Sequence, residues 1–119
     1  MSKTRATRIA TALGFLAVAL GAFGAHGLKN VLGRNGTAAI WETAVFYHFI
    51  HTVMLFILAQ KQPVAKWPFL LFLAGIIIFS GSLYVLAVTD LLWLGAITPV
   101  GGVSLLAGWA ALFWAAKTN

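Results

Sequence analysis

Four long apolar stretches fill the sequence, parted by short polar breaks. They run from Ile9 to Leu28, from Ala38 to Ala59, from Trp67 to Thr89 and from Leu91 to Ala116. Each holds about 20 residues or more, which is what a helix needs to cross about 30 Å of hydrocarbon. Backbone groups in lipid must be paired within their own segment, so the spans over 9–28, 38–59, 67–89 and 91–116 are expected to be helices. A transmembrane barrel would alternate apolar and polar positions, and the run from Pro68 to Phe79, PFLLFLAGIIIF, does not alternate. The expected fold is all-α: one integral membrane domain over 1–119, built as a four-helix bundle with short loops.

The breaks have chemical causes. Asn35-Gly36 interrupts the chain, and Thr37 follows as an N-cap for the second helix. Pro63 stops the second helix within the Gln60–Lys66 loop, and Pro68 suits the first turn of the third helix. Asp90 leaves room only for a tight turn between the third and fourth helices. Gly24 and Gly27 flank Ala25-His26 and let the first helix open at its end. Thr98-Pro99-Val100-Gly101-Gly102 predicts a kinked or broken fourth helix, because Pro99 has no N–H and its ring crowds the preceding turn. The basic start followed by an apolar run also fits a signal peptide, with Ala22 and Gly24 as small residues before a cleavage site. The run is longer than a typical signal core, so an uncleaved first span is expected.

Composition narrows the class further. Of 119 residues, 61% are hydrophobic and only 8% are charged, which excludes disorder and an ordinary soluble surface. The absence of cysteine excludes a disulfide-built domain and a thiol nucleophile. The net charge of +6 reads as a topology signal. With alternating sides, Lys3, Arg5, Arg8, Lys61, Lys66 and Lys117 share one side, against Lys29 and Arg34 with the acids Glu42 and Asp90 on the other. The positive-inside rule then places both termini in the cytoplasm. Membrane lipids are the expected partners, with a membrane protein or a second copy as further candidates. Nucleic acid is not, since no basic-aromatic surface supports it. Trp41 and Trp93 near one interface, and Trp67 and Trp114 near the other, read as an aromatic belt. Trp109 lies deeper and reads as a packing residue.

Small residues line the helices. Ala10, Gly14, Ala17, Gly21 and Ala25 share a face of the first helix; Gly101, Ser104, Gly108, Ala111 and Ala115 share one of the fourth; the third has Gly75, Gly81 and Ser82. Polar residues collect in the outer half. His26 closes the first helix and Glu42 opens the second, with His48 about 9 Å and His51 about 13 Å deeper than Glu42. Tyr47, Ser80, Ser82, Tyr84 and Thr98 belong to the same half. On the second helix Trp41, Ala44, His48, His51, Thr52 and Leu55 share one face, and Glu42 points away from it, toward His26 or Lys29 as candidate partners. Polar side chains in lipid must face the bundle and find partners, so a hydrogen-bonded helix-packing cluster is the leading expectation. Such a cluster could also hold a lipid headgroup or a partner subunit. Competing readings are a metal on His26, His48 and His51, haem between helical histidines, and a proton or small-solute pathway. Catalysis is poorly supported, since Glu42 and Asp90 are not spaced as a pair and no nucleophile elbow is present. No cofactor is predicted.

Four stretches in order, GAFGAHGL (21–28), WETAVFYHFIHT (41–52), FSGSLYVLAVT (79–89) and LGAITPVGGVSLLAGW (94–109), resemble the signatures of the domain of unknown function 423 family, also called uncharacterised protein family 0382. The resemblance covers nearly the whole chain; Phe49 stands where shorter side chains are common. It implies a small, four-helix, multi-pass bacterial inner-membrane protein, with no established substrate, cofactor or reaction. The residues matching its motif positions are Gly21, Gly24, Ala25, His26, Gly27, Tyr47, His48, His51, Ser80, Gly81, Ser82, Tyr84, Thr98, Pro99, Gly101, Gly102 and Trp109.

Overall fold

The computed structural model describes residues 1–116; Lys117, one of the basic residues in the topology count, lies outside the described residues. The chain is all helical. Helix α1 covers Lys3–Ala25, α2 Lys29–Asn35, α3 Ala38–Gln60, α4 Lys66–Gly75, α5 Gly81–Thr89 and α6 Thr98–Ala115. A π-helical turn, Ile76–Ser80, joins α4 to α5 without ending the helix. A 3-10 segment, Leu92–Ala96, precedes α6. Four helical rods, Lys3–Ala25, Ala38–Gln60, Lys66–Thr89 and Leu92–Ala115, are long and apolar enough to cross a membrane.

The first rod begins upstream of its apolar stretch. Ser2 caps it by accepting a hydrogen bond from the Arg5 N–H at 3.1 Å, so Lys3, Arg5 and Arg8 are helical. The Gly36 region holds more structure than the expected loop. Leu32 is buried with Trp41 and Ala87, and that contact stabilises the short helix α2. Gly36 then ends α2 at φ 66°, a conformation open to glycine without a Cβ penalty.

Thr37 stands at the N-cap position of α3, yet its side chain does not cap that helix. It donates instead to the Ala87 carbonyl at 2.6 Å, while the Asn35 amide donates to the carbonyls of Ala87 and Val88. The last carbonyls of a helix have no partner within it, and here α2 and Thr37 supply partners for those of α5. The chain turns at Asp90, whose φ of 59° makes the junction tight. Pro99 falls in the first turn of α6, where its missing N–H leaves no helical bond unmade.

Backbone contacts of substance join consecutive spans: α1 with α3, α3 with the third rod, and the third rod with α6. Two apolar clusters fill the interior. The larger, toward the end that holds the N-terminus, includes Ala6, Ala10, Leu55, Leu58, Phe69, Phe72, Ile76 and Leu105. The smaller lies at the opposite end around Leu32, Trp41 and Ala87. Large side chains such as Phe15, Val103, Leu106, Phe113 and Trp114 face outward, as suits a lipid solvent.

Glycines set the closest approaches. A Cβ on Gly101 would run into the main chain of Phe79 and Ile78 at the π turn. A Cβ on Gly24 would strike the Trp41 indole, one on Gly75 would strike Leu105, and one on Gly108 would meet Phe72. Gly81 faces open space, and Gly14, Gly21 and Gly102 meet only ordinary or slightly tight side-chain contacts. Replacing Gly101 by Val is expected to destabilise the fold by about 3 kcal/mol or more, because main chain cannot yield as a side chain does. Gly81→Ala is expected to be neutral or to stabilise by up to about 1 kcal/mol. Denaturation of both variants in detergent checks this; equal losses would remove the assigned role of Gly101.

Candidate functional site

The buried face of α3 carries Trp41, Ala44, His48, His51, Thr52 and Leu55. Their spacing of three and four residues places them on one side of the helix, between α1 and the third rod. Each polar member except Thr52 reaches another element, directly or through a bonded side chain.

His48 bridges two neighbours. Its Nε2–H donates to the Leu13 carbonyl of α1 at 2.9 Å, since a carbonyl only accepts. In the neutral ring Nδ1 then accepts the Tyr84 hydroxyl of α5 at 2.8 Å. The Tyr84 ring also packs on Trp41, with centroids 4.7 Å apart, and the Trp41 indole N–H donates to the Leu20 carbonyl of α1 at 2.9 Å. Trp41 is therefore an interior tie between helices, and not the interfacial anchor its position suggested.

His51 is the opposite tautomer. The Trp109 indole N–H can only donate, and it donates to His51 Nε2 at 2.9 Å. His51 Nδ1–H accordingly donates to the Tyr47 carbonyl one turn earlier at 2.8 Å. The pair spans α3 and α6, with Phe72 packed against both rings. Both ring nitrogens of both histidines are thus engaged, and a metal or haem iron would have to displace one of these bonds.

The third rod supplies the remaining ties. Ser80, in the π turn, donates to the Ala44 carbonyl at 2.7 Å. Ser82 Oγ lies 2.7 Å from Thr98 Oγ1 and 3.0 Å from the Phe79 carbonyl. Two proton orders fit: Thr98 donates to Ser82 and Ser82 to the Phe79 carbonyl, or Ser82 donates to Thr98 and Thr98 to the Leu94 carbonyl at 3.4 Å. Ser104 of α6 donates to the Leu71 carbonyl of α4 at 2.7 Å.

Other expected members stand apart. His26 is exposed at the end of α1, and Glu42 is exposed one turn into α3. Among the described residues neither bonds the other, nor does Glu42 pair with Lys29. The Tyr47 ring packs on Phe79 at 4.8 Å and contributes its main-chain carbonyl, not its hydroxyl. Gly27 is exposed beside the Phe23 ring, outside the cluster. Thr52 Oγ1 is buried without a partner among the described residues. No three His, Asp or Glu side chains come together among the described residues.

Sequence reasoning missed Trp41, Trp109 and Ser104 as donors. An indole N–H or a hydroxyl on a membrane-spanning helix usually finds an acceptor, and that was the available signal.

His48, Tyr84, His51, Ser82 and Thr98 all fall within a stretch that has relatives elsewhere, and Trp109 lies beyond it. Residues 20–102 match the family described as "Protein of unknown function (DUF423)". The chain belongs to the DUF423 family. It is 44% identical over 110 residues to the UPF0382 membrane protein YwdK of Bacillus subtilis (strain 168), covering 85% of this chain and 86% of the relative. It is 42% identical over 101 residues to the UPF0382 membrane protein SH2409 of Staphylococcus haemolyticus, covering 82% of each. It is 44% identical over 104 residues to the UPF0382 inner membrane protein YgdD of Escherichia coli (strain K12), covering 83% of this chain and 79% of the relative. No solved structure matches. With its four spans, this DUF423 member is a small multi-span protein of the bacterial inner membrane.

A double-mutant cycle checks the central tie. The His48→Leu and Tyr84→Phe substitutions should be non-additive by about 0.6 kcal/mol, the average for hydrogen bonds within membranes, and by at most about 1.7 kcal/mol. Additive losses in a detergent unfolding titration would show that the two side chains do not bond.

Proposed function

We propose that the polar residues of the spans organise the bundle, and that the protein acts through the membrane-facing surfaces this framework holds in place. The observation that carries the reading is the fate of the two buried histidines. Every ring nitrogen of the two is committed to a neighbouring backbone or aromatic group, so neither histidine is left as an idle base or ligand. A transport pathway is less well supported, because the apolar cluster around Leu58, Phe69, Phe72 and Leu105 fills the interior at the terminal end. Membrane lipids or a membrane-protein partner remain the expected ligands. A groove of about 480 Å³ between α3 and α6, bordered by Tyr47, Pro99, Val103 and Trp109, favours a lateral ligand over one that passes through the bundle. The π turn and the change of helix type before Pro99 serve this reading as the joint that seats α6 against the third rod.

Both termini lie in the cytoplasm in this reading, supported by the six basic residues on their side against two on the other. The chain has no cysteine, so single-cysteine reporters are clean. An impermeant maleimide applied to spheroplasts should label Gly33→Cys and spare Lys61→Cys; the reverse pattern would invert the topology. For the organising role, His51→Leu should loosen α6. The loss should appear as a fall in thermal stability in detergent, with faster proteolysis in the Asp90–Pro99 segment. Unchanged melting and proteolysis would overturn the role.

A further inference from the structure

The interhelical ties leave unused a groove beside α3 and the carboxylate that lines it. The groove lies between α1 and α3, measures about 430 Å³, and is lined by Gly21, Gly24, Leu32, Glu42 and Val45 among others. Its wall on α3 runs from Ala38 to Ile50, about 18 Å along the helix axis. It is therefore a slot that descends from one membrane interface into the hydrocarbon. Lacking a side chain, Gly21 keeps its floor on α1 low. Glu42 is its only ionisable lining residue, and the Trp41 indole N–H beside it is already held by Leu20.

Glu42 is exposed, stands near the interfacial mouth of the slot, and makes no hydrogen bond or ion pair among the described residues. The slot therefore offers an apolar channel for a chain and an anion at the level of a headgroup. The complement is an amphiphile with a cationic head. We propose that this groove is a phospholipid site selective for an ethanolamine headgroup, whose acyl chain lies in the slot and whose ammonium donates to the Glu42 carboxylate. The proposal goes beyond the organising role of the polar ties and does not depend on it.

Charge and donor count make the choice. A primary ammonium carries three N–H donors for the carboxylate oxygens, whereas a choline head carries none. A glycerol head carries no cation to pair with Glu42. Lys29 and Arg34 are exposed on α2 at the same end, where they can face the lipid phosphate.

The test is native mass spectrometry of the full chain in detergent, titrated with palmitoyl-oleoyl phosphatidylethanolamine, phosphatidylcholine or phosphatidylglycerol. One ethanolamine lipid should be retained with about tenfold preference over the other two. Glu42→Gln should abolish the preference without changing thermal stability. Ala25→Phe, which fills the slot and keeps the carboxylate, should weaken retention of the ethanolamine lipid. Equal retention of the three lipids, a preference that survives Glu42→Gln, or a protein dimer in place of a lipid adduct would each overturn the proposal. None of these outcomes bears on His51→Leu, so the two readings fail separately.

Discussion

A polar side chain between two helices in hydrocarbon has few acceptors. The neighbouring helix is one of them, because each of its carbonyls has a second lone pair after its own helical bond is made. This protein uses that pair repeatedly. Trp41 and His48 of α3 donate to Leu20 and Leu13 of α1; Ser80 of the third rod donates to Ala44 of α3; Ser104 of α6 donates to Leu71 of α4. Lipid gives apolar helices little hydrophobic reason to associate, so packing and such bonds decide which helix meets which. Each bond contributes modestly, about 0.6 kcal/mol on average in membranes. The set matters because it joins every consecutive pair of spans.

The bonds need short distances, and the missing side chains at glycine provide them. Gly24 admits the Trp41 indole whose N–H reaches Leu20, and Gly101 brings α6 onto the main chain of the π turn. That turn also carries Ser80 to Ala44 and is followed by Ser82, which meets Thr98 at the start of α6. Small residues, the π turn and the hydroxyl bonds thus form one joint between the third and fourth spans, at a place where π turns commonly serve a local purpose.

The same arrangement separates structural polarity from available polarity. His48 and His51, the residues that most invite a metal, haem or proton-transfer reading, are consumed by ties. Glu42 and His26, which lie nearer the interface, are left facing outward. In the proposed reading, chemistry with an outside ligand therefore belongs at the rim and in the lateral grooves of this DUF423 protein.

The number of spans, their helical state and the buried face of α3 were legible along the chain. Hydrocarbon forces backbone pairing within each segment, and a period of three and four residues puts Trp41, Ala44, His48, His51, Thr52 and Leu55 on one side. Local chemistry also marked Pro68 and Gly36 as boundaries, whereas Pro99, read as a kink within the fourth span, falls in the first turn of α6. The identity of each partner was not legible. Depth counting grouped His26 and Glu42 with the buried polar residues, but a shared depth does not give a shared azimuth, and both face out. Thr37 looked like a cap for its own helix and instead serves Ala87, because the unpaired carbonyls at the end of α5 lie within its reach. The short helix α2, the π turn and the two opposite histidine tautomers depend on which groups arrive from other spans. A single helix determines only its own faces; the acceptors those faces meet exist only once the neighbouring helices are in place.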